Sequence, residues 1–141
     1  MVGGQFLDLL GEERDLSASE LTDLHRRKTG AILRASLRMG GIAAGASPEA
    51  LEGLDRYGDA VGLAFQIADD LLDATASAQT LGKRPSDAEL GKSTYVSLFG
   101  VEEAARKAGA LVAEAEEALK VGGLASPELQ ALARYIVERK R

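Results

Sequence analysis

The sequence predicts an all-α fold, and three observations carry that expectation. Apolar residues recur at three- and four-residue spacing along the longer segments, the period of an amphipathic helix. Ser17-Ala18-Ser19-Glu20, Ser47-Pro48-Glu49 and Ser126-Pro127-Glu128 read as helix starts, the first as a capping box and the others as a serine N-cap followed by proline at the first helical position. Aromatic residues are only 4% of the chain and Trp is absent, so the core must rest on Leu, Ala, Val and Ile, as in closely packed helices.

With 141 residues, 45% hydrophobic and 28% charged, the chain has the balance of one soluble globular unit. A net charge of −5 argues against a general nucleic-acid or anionic-membrane surface, so neither nucleic acid nor stable membrane anchoring is expected. The absence of Cys excludes disulfides and thiol chemistry. No basic segment followed by an apolar run opens the chain, and no uncharged apolar stretch approaches the ~18 residues of a membrane span, which makes a cytoplasmic location the default expectation.

Met1 to Leu10 begins in mid-pattern and reads as the end of a helix, with Gln5 and Asp8 on one face; an ordinary polar edge is the simplest account of that pair. Gly11 to Asp15 is a charged connector. The Ser17 capping box then opens a helix expected to run to about Met39, with Leu21, Leu24, Ile32 and Ala35 on its apolar side. Lys28 falls on that same side, with Thr29 beside it. Its stem can snorkel to the core edge, or its ammonium can point into a cleft and hold an anion. His25 reads as a surface or hydrogen-bonding histidine, with no second His or Cys to build a transition-metal site.

Gly40 to Ala46 suits a helix end or a close crossing, and Ser47-Pro48-Glu49 starts the central helix, expected to reach about Ala74. At 3.6 residues per turn Gln66, Asp69, Asp70 and Asp73 share one face, with Asp59 and Gly62 extending it backwards. Tyr57, Val61, Ala64, Phe65, Ala68 and Leu72 fall opposite, widened by Leu63, Ile67 and Leu71, so the helix should be largely buried with its acid stripe at a cleft. No Lys or Arg lies between Tyr57 and Gly82 to pair with the acids locally. Unit charges ~6 Å apart repel by roughly 0.7 kcal/mol in bulk water and roughly 3 kcal/mol at an effective dielectric of 20. A divalent cation would reverse that cost. Oxygen donors without Cys or nearby His suit a hard ion such as Mg²⁺, which takes one or two carboxylates and fills its shell with water and phosphate oxygens. A solvated helix face is the plainer alternative.

Thr75 to Leu81 leads into a loop from Gly82 to Thr94 whose Lys83 and Lys92 could reach a phosphate held by the metal. Its Gly91-Lys92-Ser93-Thr94 piece is not a P-loop, since no strand precedes it. Tyr95 to Phe99 is short, helical or extended. Val101 to Val121 is amphipathic through Ala104, Ala108, Leu111, Ala115 and Leu119, ending at Gly122-Gly123. Ser126 caps a last helix carrying Leu129, Leu132, Tyr135 and Ile136. The closing Glu138-Arg139-Lys140-Arg141 suits the helix dipole, with a cationic contribution to a diphosphate pocket as the second reading.

Taken in order, Met1-Val2-Gly3-Gly4-Gln5 with Asp8, His25-Arg26-Arg27-Lys28-Thr29-Gly30, Phe65-Gln66-Ile67-Ala68-Asp69-Asp70-Leu71-Leu72-Asp73, Gly82-Lys83 and Gly91-Lys92-Ser93-Thr94-Tyr95 resemble the trans-isoprenyl diphosphate synthases, most closely the bacterial farnesyl diphosphate synthases. The resemblance implies an all-α helical bundle of the isoprenoid-synthase type. It also implies a prenyltransferase of isoprenoid biosynthesis that adds isopentenyl diphosphate to an allylic diphosphate, with Mg²⁺ assisting diphosphate departure. Asp69, Asp70 and Asp73 would be the metal-binding second aspartate-rich motif, with Asp69 the foremost ligand. Lys28, Lys83 and Lys92 would bind the allylic diphosphate, Thr29 and Gln66 would line the reacting centre with Lys28, and Gln5 would line the allylic pocket.

The family's first aspartate-rich motif precedes the Gly-Gly-Gln segment, at which this sequence begins, and Pro85-Ser86 stands where relatives often have glycine. The expectation is therefore that residues 1–141 are the C-terminal part of a polyprenyl synthetase domain, weak or inactive alone and exposing apolar faces that drive homo-oligomer formation. Two other functions remain in view: a terpene cyclase of the same fold, against which the Lys28-Thr29 and Gly91-Lys92 motifs argue, and a non-catalytic fragment that binds Mg²⁺-diphosphate or self-associates.

Overall fold

The computed structural model describes residues 2–11, 15–79 and 93–139, and every described element is helical. Among the described residues, seven α-helices follow in order: α1 (Val2–Gly11), α2 (Ala18–His25), α3 (Ala31–Ala43), α4 (Pro48–Gln79), α5 (Tyr95–Phe99), α6 (Val101–Val121) and α7 (Pro127–Glu138), with a π-helical turn, Arg26–Gly30, joining α2 to α3. The starts form as the sequence predicts. Ser17 Oγ accepts the Glu20 N–H at 3.3 Å while Glu20 Oε2 accepts the Ser17 N–H at 2.9 Å. Ser47 Oγ takes the Ala50 N–H at 3.2 Å, and Ser126 Oγ takes the Leu129 N–H at 3.3 Å, each satisfying a donor that the first helical turn leaves without an intrahelical acceptor.

The 32-residue α4 runs past Ala74 to Gln79, and the other helices pack around it, chiefly α6 and α3. Its apolar arc is as wide as expected: Tyr57, Val61, Leu63, Ala64, Ile67 and Ala68 are buried, and Ile67 is 0% exposed. The α6 face meets it through Ala104, Ala108 and Ala115, which let the two helices approach closely, and through Leu111 and Leu119. The Tyr57 hydroxyl donates to the Leu129 carbonyl at 2.7 Å, tying α4 to α7, and burial pushes its pKa up to about 12.

The helix from Ser17 differs from expectation. It continues to Ala43 rather than Met39, and the π turn inserts one residue into its period, which shifts the packed face forward by one. Leu33 and Leu37 therefore pack on the core, whereas Ile32 is 49% exposed and Ala35 is also exposed. Lys28 belongs to the π turn, so its expected place in an apolar row between Leu24 and Ile32 does not arise. His25 is buried against the edge of the Tyr95 ring, 5.8 Å between centroids, and is no surface residue. On α7, Leu129 and Ile136 pack inward, but Leu132 and Tyr135 are 47% and 64% exposed because Ala133 takes the buried position between them.

Two glycines fix the π turn. A Cβ on Gly4 of α1 would lie 2.4 Å from the Lys28 backbone nitrogen, and one on Gly62 of α4 would lie 2.5 Å from Gly30 Cα. Backbone meets backbone on both sides, and neither neighbour can yield as a flexible side chain would. Lys28 and Thr29 are thereby held between α1 and the middle of α4.

Candidate functional site

The second half of α4 carries the acid stripe, and Gln66, Asp69, Asp70 and Asp73 are all part-exposed there. The three aspartates do not converge on one point. Asp70 Oδ2 accepts the Tyr95 N–H at 2.8 Å, holding the start of α5, whose Thr94 cap and Ser97 exchange hydrogen bonds of 2.8 and 3.0 Å. Asp69 turns the other way and forms an ion pair with Arg139, just beyond α7. The Arg139 guanidinium lies 4.3 Å from the centroid of the Phe65 ring, one turn before Asp69, in a cation–π contact. Burial raises the Asp69 carboxyl above its usual pKa, and Arg139 opposes that rise without cancelling it.

Neutralisation of the stripe is thus partly internal, although no Lys or Arg lies between Tyr57 and Gly82 in sequence. Arg139 reaches Asp69, and Arg34 on α3 reaches Asp59 at 3.4 Å. Both partners are distant in sequence, which is why the missing local cations gave no sign of them. Among the described residues, no three His, Cys, Asp or Glu side chains cluster to hold a metal ion. The donor set still fits a hard cation: Asp69 and Asp73 present carboxylate oxygens on a part-exposed face, and Mg²⁺ needs only one or two of these when waters and phosphate oxygens complete its shell.

An apolar groove of about 770 Å³ opens beside this stripe, between α3, α4 and α7. Leu33, Leu37, Phe65 and Tyr135 line it. Thr29 and Arg139, the ion-pair partner of Asp69, line the same groove. Lys28 is part-buried on the same π turn, and Gln5 is exposed on α1, which packs against that turn. Lys83 and Lys92 lie outside the described residues, as does the side chain of Asp8. Two participants were not assigned from the sequence: Phe65, read only as core, and Arg139, read first as a dipole partner. The basic ending after Ile136 was the one available signal for Arg139.

Residues 1–122 match the polyprenyl synthetase family. The farnesyl diphosphate synthase of Escherichia coli K12 is 44% identical over 146 aligned residues, which cover 100% of this chain and 49% of that enzyme. Among solved structures, an FPP/GFPP synthase from Zymomonas mobilis aligns with a TM-score of 0.80 at 38% identity, covering 97% of this chain and 45% of that one. A geranyltransferase from Helicobacter pylori, solved in complex with magnesium and isoprenyl diphosphate, aligns with a TM-score of 0.75 at 34% identity over 97% of this chain and 45% of that one. The chain spans about half the length of the relatives it matches. It belongs to the polyprenyl synthetase family.

Proposed function

We propose that this chain forms the part of a prenyltransferase that receives an allylic diphosphate and its Mg²⁺, in an enzyme joining isopentenyl diphosphate to that substrate, geranyl to farnesyl diphosphate. The observation that carries the reading is an apolar groove lined by Thr29, Phe65 and Arg139, whose guanidinium pairs with Asp69 of the acid stripe. An allylic diphosphate has the matching polarity, with an anionic head and a hydrocarbon tail. When bound, Mg²⁺ would neutralise the diphosphate and favour its departure, held by Asp69 and Asp73 with Asp70 beside them.

The chain's own residues would supply the remaining stabilisation. Lys28, with Lys83 and Lys92 from the loop, would pair with the diphosphate as negative charge develops on it, and fixed cations there lower the barrier. Thr29 and Gln66 would line the carbon from which the diphosphate leaves, and Gln5 the allylic pocket. The carbon–oxygen bond to the diphosphate breaks, the double bond of isopentenyl diphosphate supplies electrons to the new carbon–carbon bond, and a proton is then lost.

Residues 1–141 would be the C-terminal part of the polyprenyl synthetase domain, weak or inactive alone. The exposed apolar residues Phe6 and Leu9 on α1 and Met39 and Ile42 on α3 support a homo-oligomer. Incubating the chain with isopentenyl diphosphate, geranyl diphosphate and Mg²⁺ tests both statements. The expected result is little or no farnesyl diphosphate from this chain and robust product once the remaining half of a synthase is supplied. Robust product from the chain alone would refute the inactivity, and none in either case would refute the transferase reading.

A further inference from the structure

Arg139 is the cation paired with Asp69. Its guanidinium is paired with Asp69 and stacked on Phe65, so the end of α7 is drawn onto the acid face of α4. The pairing uses only part of what Arg139 offers. Nε–H is buried with no hydrogen-bond acceptor among the described residues, so the guanidinium leaves a donor unsatisfied in its docked position. The Asp69 side chain is 46% exposed and accessible from solvent on its other side. Arg139 takes only Oδ1 of Asp69, and a divalent cation on the same carboxylate would stand close to the guanidinium and repel it, so a docked cation that is itself incompletely satisfied marks an exchange site.

We propose that Arg139 is the resident counter-cation of Asp69, and that a divalent cation bound there displaces it, so that metal loading and docking of the α7 end exclude one another. The inference rests on the reading of Asp69 as a cation ligand. It makes Arg139 a positioning residue: it holds Asp69 in place before the metal arrives and is released to the groove mouth afterwards. Because coupling between two ligands of one carboxylate is reciprocal, whatever weakens the docked arginine must strengthen the metal, and the metal must loosen the α7 end to the same degree.

Mn²⁺ binding to the whole chain, followed by electron paramagnetic resonance, tests this with Arg139→Gln and Asp69→Asn beside the wild type. Arg139→Gln should bind Mn²⁺ about 2- to 5-fold tighter, the scale of losing one part-exposed competing ion pair. Asp69→Asn should weaken binding. If Asp69→Asn weakens binding but Arg139→Gln leaves it unchanged or weaker, displacement is overturned while Asp69 remains a ligand. If Asp69→Asn has no effect, the metal reading falls and the displacement with it. Amide hydrogen exchange on the wild type needs no variant. The Arg139 N–H, bonded to the Tyr135 carbonyl at 2.9 Å, should exchange faster when Mg²⁺ is added. Unchanged exchange under saturating Mg²⁺ would overturn the proposal even if Arg139→Gln failed to fold.

Discussion

The two halves of α4 carry the same residue type in opposite circumstances. In the first half, Asp55 and Asp59 face Arg38 and Arg34, and each ion pair is completed by the neighbouring α3. In the second half, Asp69 pairs with Arg139, which lines an apolar groove, and burial raises the Asp69 pKa against the pull of that arginine. One half pairs its charge with arginines of the neighbouring helix. The other keeps a carboxylate with a raised pKa whose present partner comes from the chain's last described residue, so charge placement, rather than charge count, separates a structural stripe from a candidate binding site.

The largest expected effect comes from breaking the frame that holds Lys28 and Thr29 beside the second half. Gly62→Ala would put a methyl 2.5 Å from Gly30 Cα, where only backbone movement can relieve it. A loss of about 3 kcal/mol is expected, read as a lower urea midpoint. Tyr57→Phe should cost about 1 kcal/mol in the same assay, since it removes the hydroxyl that satisfies the Leu129 carbonyl between α4 and α7.

The halves should also separate by pH. The folded pKa of Asp69 is raised above its unfolded value by burial, so its contribution to stability is fully present below the unfolded pKa and is lost as pH rises through the raised folded value. Asp69→Asn should therefore flatten the decline in stability as pH rises upward from the usual value of 3.8, measured by thermal denaturation across the acid range. A steeper decline in the variant would contradict the desolvation account. The smallest effect belongs to the first half: Arg34→Gln at the exposed Asp59 pair should change stability by less than about 0.5 kcal/mol.

Legibility in the sequence followed the same division between regular and non-local features. The packed face of α6, Ala104 through Leu119, could be read residue by residue because a straight α-helix keeps its period. Beyond Gly30 the same reasoning failed at Ile32 and Ala35, since one inserted residue in a π turn rotates every later side chain and leaves no compositional mark. The acid stripe and its apolar back were legible because both are local to α4. Arg139 and Arg34 were not, because ion pairs between distant segments depend on how helices cross. The resemblance to prenyl synthases supplied roles for Lys28, Thr29 and Gln66 that spacing alone could not give.

The most direct test compares the two halves in one experiment. Titrating Mg²⁺ with inorganic pyrophosphate into the chain by calorimetry, with Asp59→Asn and Asp69→Asn as variants, asks which half holds the cation. Asp69→Asn should weaken binding by about tenfold or more, equivalent to at least about 1.4 kcal/mol, while Asp59→Asn stays within about twofold of the wild type. Equal losses in both variants, or no loss in Asp69→Asn, would contradict the assignment of the second half of α4 as the diphosphate-metal site.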